Sequence, residues 1–331
     1  MRRIFITDAI QDLAEEYEKN LFAKKDKRFV RPKDGLKNLE KQIRDNKTAW
    51  NVNWQDYADY VNYVWNHLKE IILLHPSQFD DYKRNHLNML SDAQLKDKEW
   101  RGTSKSFSDM IIEVMRYKEV RETEMISFVE KLGIKACVYC NSQHTATVHI
   151  DAQEVKGGYE LDHYKAKDTY PFLCISFFNL QPCCGSCNKW KSNKDGLFNL
   201  YTDDPNEMIN PFEFGLSSAS IVRYMLSQDA GSLEISFDSD DKALLTNHEE
   251  LFHTTKLYEG FRDTAEELVW RSKINNEAYM KQLVERFARL FPNHREEITR
   301  FLYGFYSKES DIHKRPLTKL QQDIARQLKQ I

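Results

Sequence analysis

Six cysteines occupy positions 137, 140, 174, 183, 184 and 187 of a 331-residue chain. Cys137-Val-Tyr-Cys140 and Cys184-Gly-Ser-Cys187 are two C-x-x-C pairs of equal spacing. Each such pair can fold into a tight knuckle whose thiolates face one ion. Two knuckles make a tetrahedral four-sulfur site that suits zinc. Disulfide frameworks spread their cysteines through small secreted chains, so this clustering points to metal, with a redox or iron-binding set of thiols as the competing reading. The 43 residues between the pairs exceed the roughly 15–20 of a zinc ribbon. A structured insertion is expected there. Cys183 could stand in for Cys184, but only Cys184 repeats the first pair's spacing. Cys174, within Phe172-Leu-Cys-Ile175, reads as a buried small hydrophobe.

Between the pairs, Thr145–Ile150 is β-rich, Lys156-Gly157-Gly158 is a turn signal, and Tyr159–Tyr164 alternates like a returning strand. Alternation would send Asp162 and His163 to opposite faces. The two can share a site only near the strand's end, where the chain bends. The second knuckle leads into Asn188-Lys-Trp-Lys191-Ser-Asn-Lys194, a short basic helix expected to end near Asp195-Gly196. From Lys156 to Lys194 six basic residues face three acidic ones, a local excess of positive charge in a chain of net charge −3. A polyanion is the natural partner of such a patch, through Lys189, Lys191 and Lys194. Trp190 reads as a packing residue, with stacking on a base as the alternative. His144 and His149 fall on opposite strand faces and are expected to be structural or exposed.

Asp162-His163, then Asn179-Leu180, then Cys184-x-x-Cys187-Asn188-x-x-Lys191, bracketed by two knuckles, resembles the HNH endonuclease family in its ββα-metal, zinc-knuckle branch. The resemblance covers residues 133–195. The third signature position holds Asn188 in place of histidine, an H-N-N variant. The resemblance implies roles residue by residue. His163 would be the general base toward water, with an ordinary pKa near 6.5 that suits the task. Asp162 and Asn188 would hold one divalent cation, Mg²⁺ or a similar ion, through oxygen donors. Asn179 would hold the loop behind His163. Glu160 is a weaker candidate ligand. Cys137, Cys140, Cys184 and Cys187 would hold structural Zn²⁺. The reaction implied is phosphodiester hydrolysis in nucleic acid, DNA ahead of RNA, with transfer RNA as an alternative substrate. A non-catalytic zinc module that binds nucleic acid or protein is the alternative reading.

The flanks give the fold class: α+β, mainly α, with a central module between helical regions. Residues 1–132 show apolar three- and four-residue steps over Asp8–Lys27, Leu36–Arg44, Tyr57–Leu74 and Phe107–Leu132. Trp50, Trp54, Trp65 and Tyr57, Tyr60 and Tyr63 are expected in the core. Lys24-Lys25-Asp26-Lys27-Arg28 reads as a solvated face, and Lys96–Lys105 as an exposed connector. The module spans residues 133–196. In 197–331, Ile221–Leu226 and Leu233–Phe237 are expected to form a hairpin through Asp229-Ala-Gly231. Helices then follow over Asp241–Gln330, with breaks near Phe291-Pro292-Asn293 and Arg315-Pro316. Leu317–Ile331 is amphipathic and could dock on the body, on a partner or near nucleic acid.

Hydrophobic residues at 41% and charged residues at 30% exclude the disordered class. No apolar run approaches the roughly 20 residues of a membrane span. Ile4-Phe5-Ile6 is too short for a signal peptide, so the cytoplasm is the expected compartment. No phosphate-cradling glycine loop of a nucleotide-driven motor is present. The arrangement of a central knuckle between a helical N-terminal extension and a helical tail resembles the Septu-type defence HNH subunit, loosely over the flanks. That likeness implies anti-phage defence alongside a separately encoded ATPase.

Overall fold

The computed structural model describes residues 1–23, 30–50, 53–98, 104–151, 154–275, 277–287 and 295–329. The fold is α+β and mainly helical, with four two-stranded sheets among the described residues. Among the described residues, strand β1 (Ile4–Phe5) precedes nine α-helices. These are α1 (Asp8–Ala23), α2 (Pro32–Asp45), α3 (Trp54–Asn66), α4 (Leu68–Leu73), α5 (Phe79–His86), α6 (Asp92–Lys96), α7 (Phe107–Val114), α8 (Tyr117–Glu122) and α9 (Glu124–Lys131). The apolar stripe of α2 buries Leu36, Leu39 and Ile43, and Pro32 opens the helix, where its missing N–H costs nothing. Gly35 lets that helix press on α7: a Cβ there would meet the Val114 carbonyl oxygen at 2.5 Å. Ser91 and Ser106 each close a capping box at the start of α6 and α7.

The expected single helix over Phe107–Leu132 is three, α7 to α9, with Arg116 in a left-handed conformation at one break. Tyr57 and Tyr60 are core residues, whereas Tyr63, Trp54 and Trp65 are half-buried. The Trp65 indole donates to Glu40 at 2.7 Å. The Trp50 side chain, Lys24-Lys25-Asp26-Lys27-Arg28, residues 99–103 of the connector and the break near Phe291-Pro292-Asn293 lie outside the described residues.

The central segment carries β2 (Thr147–His149), β3 (Val155–Gly157), β4 (Glu160–His163), β5 (Leu180–Cys183) and α10 (Gly185–Lys191). Two strand assignments need correction. The partner of β2 is β3, so Lys156-Gly157 lies in a strand and the turn falls before it. The alternating segment β4 pairs antiparallel with β5, Asp162 opposite Gln181 and His163 opposite Leu180.

The last segment holds β6 (Tyr201–Thr202), β7 (Glu213–Leu216), α11 (Ser218–Ser227), β8 (Ile235–Asp238), α12 (Lys242–Phe252), α13 (Thr254–Tyr258), α14 (Arg262–Ile274), α15 (Glu277–Phe287), α16 (Arg295–Tyr303) and α17 (Thr318–Gln327). The expected hairpin over Ile221–Phe237 is absent. Ile221–Leu226 lies in α11, capped by the Ser217 hydroxyl, and β8 pairs with β7 instead. The amphipathic tail docks on the body: α17 packs on β7 and α14, and Asp323 accepts from the Phe214 amide at 2.9 Å. Among the described residues, a buried hydrophobic cluster runs through all three segments. Parallel pairing of β1 with β6 ties the start of the chain to the region after the second knuckle. No helix among the described residues is long and apolar enough to cross a membrane.

Candidate active site

The four cysteines of the two C-x-x-C pairs converge, their sulfurs all within 4.8 Å of one another. Cys140 and Cys184 sulfurs are 4.0 Å apart, near the roughly 3.8 Å edge that Zn–S bonds of about 2.3 Å give a tetrahedron. The two knuckles share one backbone device. The amide of the residue after the second cysteine donates to the carbonyl of the first, Asn141 to Cys137 at 2.8 Å and Asn188 to Cys184 at 3.0 Å. Ser142 supports the Cys140 sulfur with its hydroxyl at 3.2 Å, the outer-shell donor a metal-bound thiolate takes. Burial and its sulfur neighbours push the Cys137 thiol well up, and Cys187 rises through the other three sulfurs and burial. Cys140 and Cys184 shift the other way, lowered by hydrogen bonds from neighbouring sulfurs; it is the close approach of the four sulfurs that fits zinc. Cys183 and Cys174 are buried outside the cluster, and the Cys174 thiol contacts the Met115 sulfur.

Strands β4 and β5 and helix α10 form a ββα unit against this cluster. His163 is the last residue of β4, where the chain turns. Asp162, His163 and Asn188 line one cleft of about 420 Å³. The His163 ring packs on Tyr117, centroids 4.6 Å apart, and its Nε2 lies 3.0 Å from the Cys174 carbonyl oxygen. A carbonyl only accepts, so Nε2 carries the proton and Nδ1 keeps its lone pair. Burial, with Lys167 nearby, lowers the His163 pKa to about 3, which holds the ring neutral.

Asp162 is 5% exposed. Its Oδ2 accepts from the Tyr139 hydroxyl at 2.5 Å and lies 3.0 Å from the Lys191 ammonium. Burial raises its pKa, against the pull of Lys191 and Tyr139. The Asn188 amide makes no side-chain hydrogen bond among the described residues and faces the cleft. These oxygens are the hard donors a Mg²⁺-type ion takes. Asn179 clamps the loop after His163: its Oδ1 accepts from the Lys165 amide at 2.8 Å, and its Nδ2 donates to the Lys165 and Leu173 carbonyls at 3.2 and 3.1 Å.

The three lysines expected at phosphates part company. Lys189 is exposed and lines the cleft, and Lys194 is exposed but does not line it. Lys191 has no exposure, and its ammonium bonds Asp162 and the His163 carbonyl, the latter at 2.7 Å. A lysine so enclosed cannot reach a phosphate, which corrects its assignment as a substrate contact. Trp190 is 40% exposed, beside His253. Both His144 and His149 are exposed, and His149 pairs with Glu130 at 3.0 Å. Glu160 lines the cleft with its carboxylate 2.7 Å from Arg121.

Sequence reasoning missed Tyr117, Arg121 and Lys167 in the cleft wall and Tyr139 behind it. Tyr117 and Arg121 sit one helical turn apart on α8, a spacing that signals a shared face but not its target. Tyr139 had a usable signal, its place inside the first C-x-x-C.

No protein-family model matches this chain, and no solved structure matches it. The chain is 32% identical over 89 residues to the Septu protein PtuB of Bacillus thuringiensis, a stretch that is 26% of this chain and 32% of the relative. The match thus spans about a third of the relative's length.

Proposed function

We propose that this chain is a metal-dependent endonuclease of the HNH type that hydrolyses phosphodiester bonds in nucleic acid, DNA ahead of transfer RNA. The observation that carries the reading is the His163 ring. Its Nε2–H is tied to a backbone carbonyl, which leaves Nδ1 with a lone pair, and His163 lines the same cleft as Asp162 and Asn188. His248 and His313 carry the same tether away from this cleft, so the place of His163 beside Asp162 and Asn188 is what singles it out.

His163 Nδ1 takes a proton from the attacking water. The ring starts neutral chiefly through burial, and a phosphate entering the cleft offsets the smaller part that Lys167 contributes. Lys167 and Lys189 give the cleft cations for phosphate oxygens, while Arg121 there is paired with Glu160. Asp162 and Asn188 would hold a Mg²⁺-type cation. Such an ion, when bound, polarises the scissile phosphate and stabilises the leaving 3′ oxygen. Asn179 keeps the loop behind His163 in place. The zinc knuckle fixes α10, and so Asn188, against β4.

The likeness to a Septu protein supports a role in anti-phage defence, with a separately encoded ATPase as partner. The test is His163→Ala. Cleavage should fall by about 10²–10⁴-fold while nucleic-acid binding and zinc content stay. Undiminished cleavage would remove His163 as the base.

A further inference from the structure

Asp162 is gripped from both zinc knuckles. Tyr139 is the third residue of the first C-x-x-C, and its hydroxyl donates to Asp162 Oδ2 at 2.5 Å. Lys191 follows the last cysteine by four residues, and its ammonium lies 3.0 Å from the same oxygen. Neither residue lines the cleft: Tyr139 is 1% exposed and Lys191 not at all.

Each grip is itself anchored. The Tyr139 ring stacks on Phe252 of α12, centroids 4.5 Å apart and planes 18° from parallel. Its carbonyl lies 3.1 Å from His248 Nε2. Lys191 also donates to the His163 carbonyl at 2.7 Å, which joins α10 to the end of β4. Both side-chain grips fall on Oδ2, beside a hydrogen bond to the carboxylate from the His163 backbone, so a cation entering from the cleft would be met by Oδ1. A carboxylate that turns freely offers either oxygen, whereas a pinned one offers a single donor in a set direction.

We propose that Tyr139 and Lys191 are positioning residues for the cleft's divalent cation: they pin Asp162 by Oδ2 and leave Oδ1 to the ion. The structural knuckles thereby become the template of the catalytic metal site. This rests on the cation site at Asp162 and Asn188 in the nuclease reading. Outer-shell partners of metal ligands typically govern about 10–100-fold in affinity. Lys191 makes the idea sharply testable, because charge and position predict opposite signs. An ammonium beside the ligand repels a cation, so charge alone says that removing it tightens binding.

The experiment is a Mn²⁺ titration of the zinc-loaded full chain by calorimetry, with zinc measured by elemental analysis and folding by circular dichroism. Wild type should bind one Mn²⁺ beyond its zinc, and Asp162→Asn should lose it. Tyr139→Phe, nearly isosteric, should weaken Mn²⁺ by about 10–100-fold with zinc and fold retained. Lys191→Met should weaken it too. Wild-type affinity in Tyr139→Phe, or tighter binding in Lys191→Met, would overturn the proposal while leaving the nuclease reading intact. If Tyr139→Phe does not fold, the sign in Lys191→Met decides alone. Absence of any Mn²⁺ site in wild type would instead strike the cation site itself, and both readings with it.

Discussion

His163 and Asp162 are neighbours in sequence, yet burial acts on them in opposite senses. It drives the histidine toward its neutral base form and makes the carboxylate costly to ionise. Lys191 answers the second cost from within the fold. Its loss to alanine should leave a buried carboxylate without its cation, and we expect a destabilisation of about 3–5 kcal/mol in urea melts. Lys189→Ala should behave differently. Its side chain is exposed at the cleft, so stability should move by no more than about 0.5 kcal/mol. The salt dependence of nucleic-acid binding should drop by roughly one counterion. A salt slope unchanged in Lys189→Ala would take that residue off the phosphate path. Asp162→Ala should abolish metal-dependent cleavage without lowering zinc content, and zinc loss there would place Asp162 in the structural site.

The two knuckles and the ββα unit act as one element of stability. Cys137→Ser or Cys184→Ser should release zinc and unfold the central module, because metal binding contributes folding free energy directly. Full stability of either variant without zinc would contradict the four-thiolate site. The first knuckle is also held from the far end of the chain. The Tyr258 hydroxyl donates to the Cys140 carbonyl at 2.7 Å, and the Asn141 amide donates to the Ile312 carbonyl at 3.0 Å. The Asp162, His163 and Asn188 that the family resemblance pointed to come to one cleft, and the four-cysteine cluster was legible in the sequence from its spacing. Strand pairing was not. Alternation shows that Glu160–His163 is a strand but cannot name its partner, and Pro182 disguises the partner strand, since proline is tolerated only where the ladder is open. Ile221–Leu226 misled because Ile221 and Val222 favour strands locally, while Ser217 capping and packing make a helix. Lys191 was placed at a phosphate because charge on a short helix carries no mark of which face is buried.

The whole molecule closes one core over these parts, and its acid response follows from what that core encloses. Burial lowers the pKa of His248 and of His313 to about 3, against about 6.5 unfolded. Above pH 6.5 both states are neutral and neither group affects stability. Below it only the unfolded chain takes the protons, so stability falls until pH approaches 3. Each histidine contributes a slope of up to about 1.4 kcal/mol per pH unit. Melts should therefore decline as pH falls from 6.5 to 4, and His313→Gln should soften that decline. A profile that stays flat to pH 4 would mean that these rings are protonated in the fold. Helix α8 of the first segment brings Tyr117 and Arg121 to the wall of the cleft that Asp162, His163, Asn188 and Lys189 also line. The nuclease assignment is most directly tested by Mg²⁺-dependent cleavage of plasmid DNA, single-stranded DNA and transfer RNA by zinc-loaded wild type beside His163→Ala. Wild type should cut at least one substrate, chelation of Mg²⁺ should stop it, and His163→Ala should be slower by at least about 100-fold. Equal cutting by the two proteins, or no cutting of any substrate by wild type with its zinc in place, would contradict it.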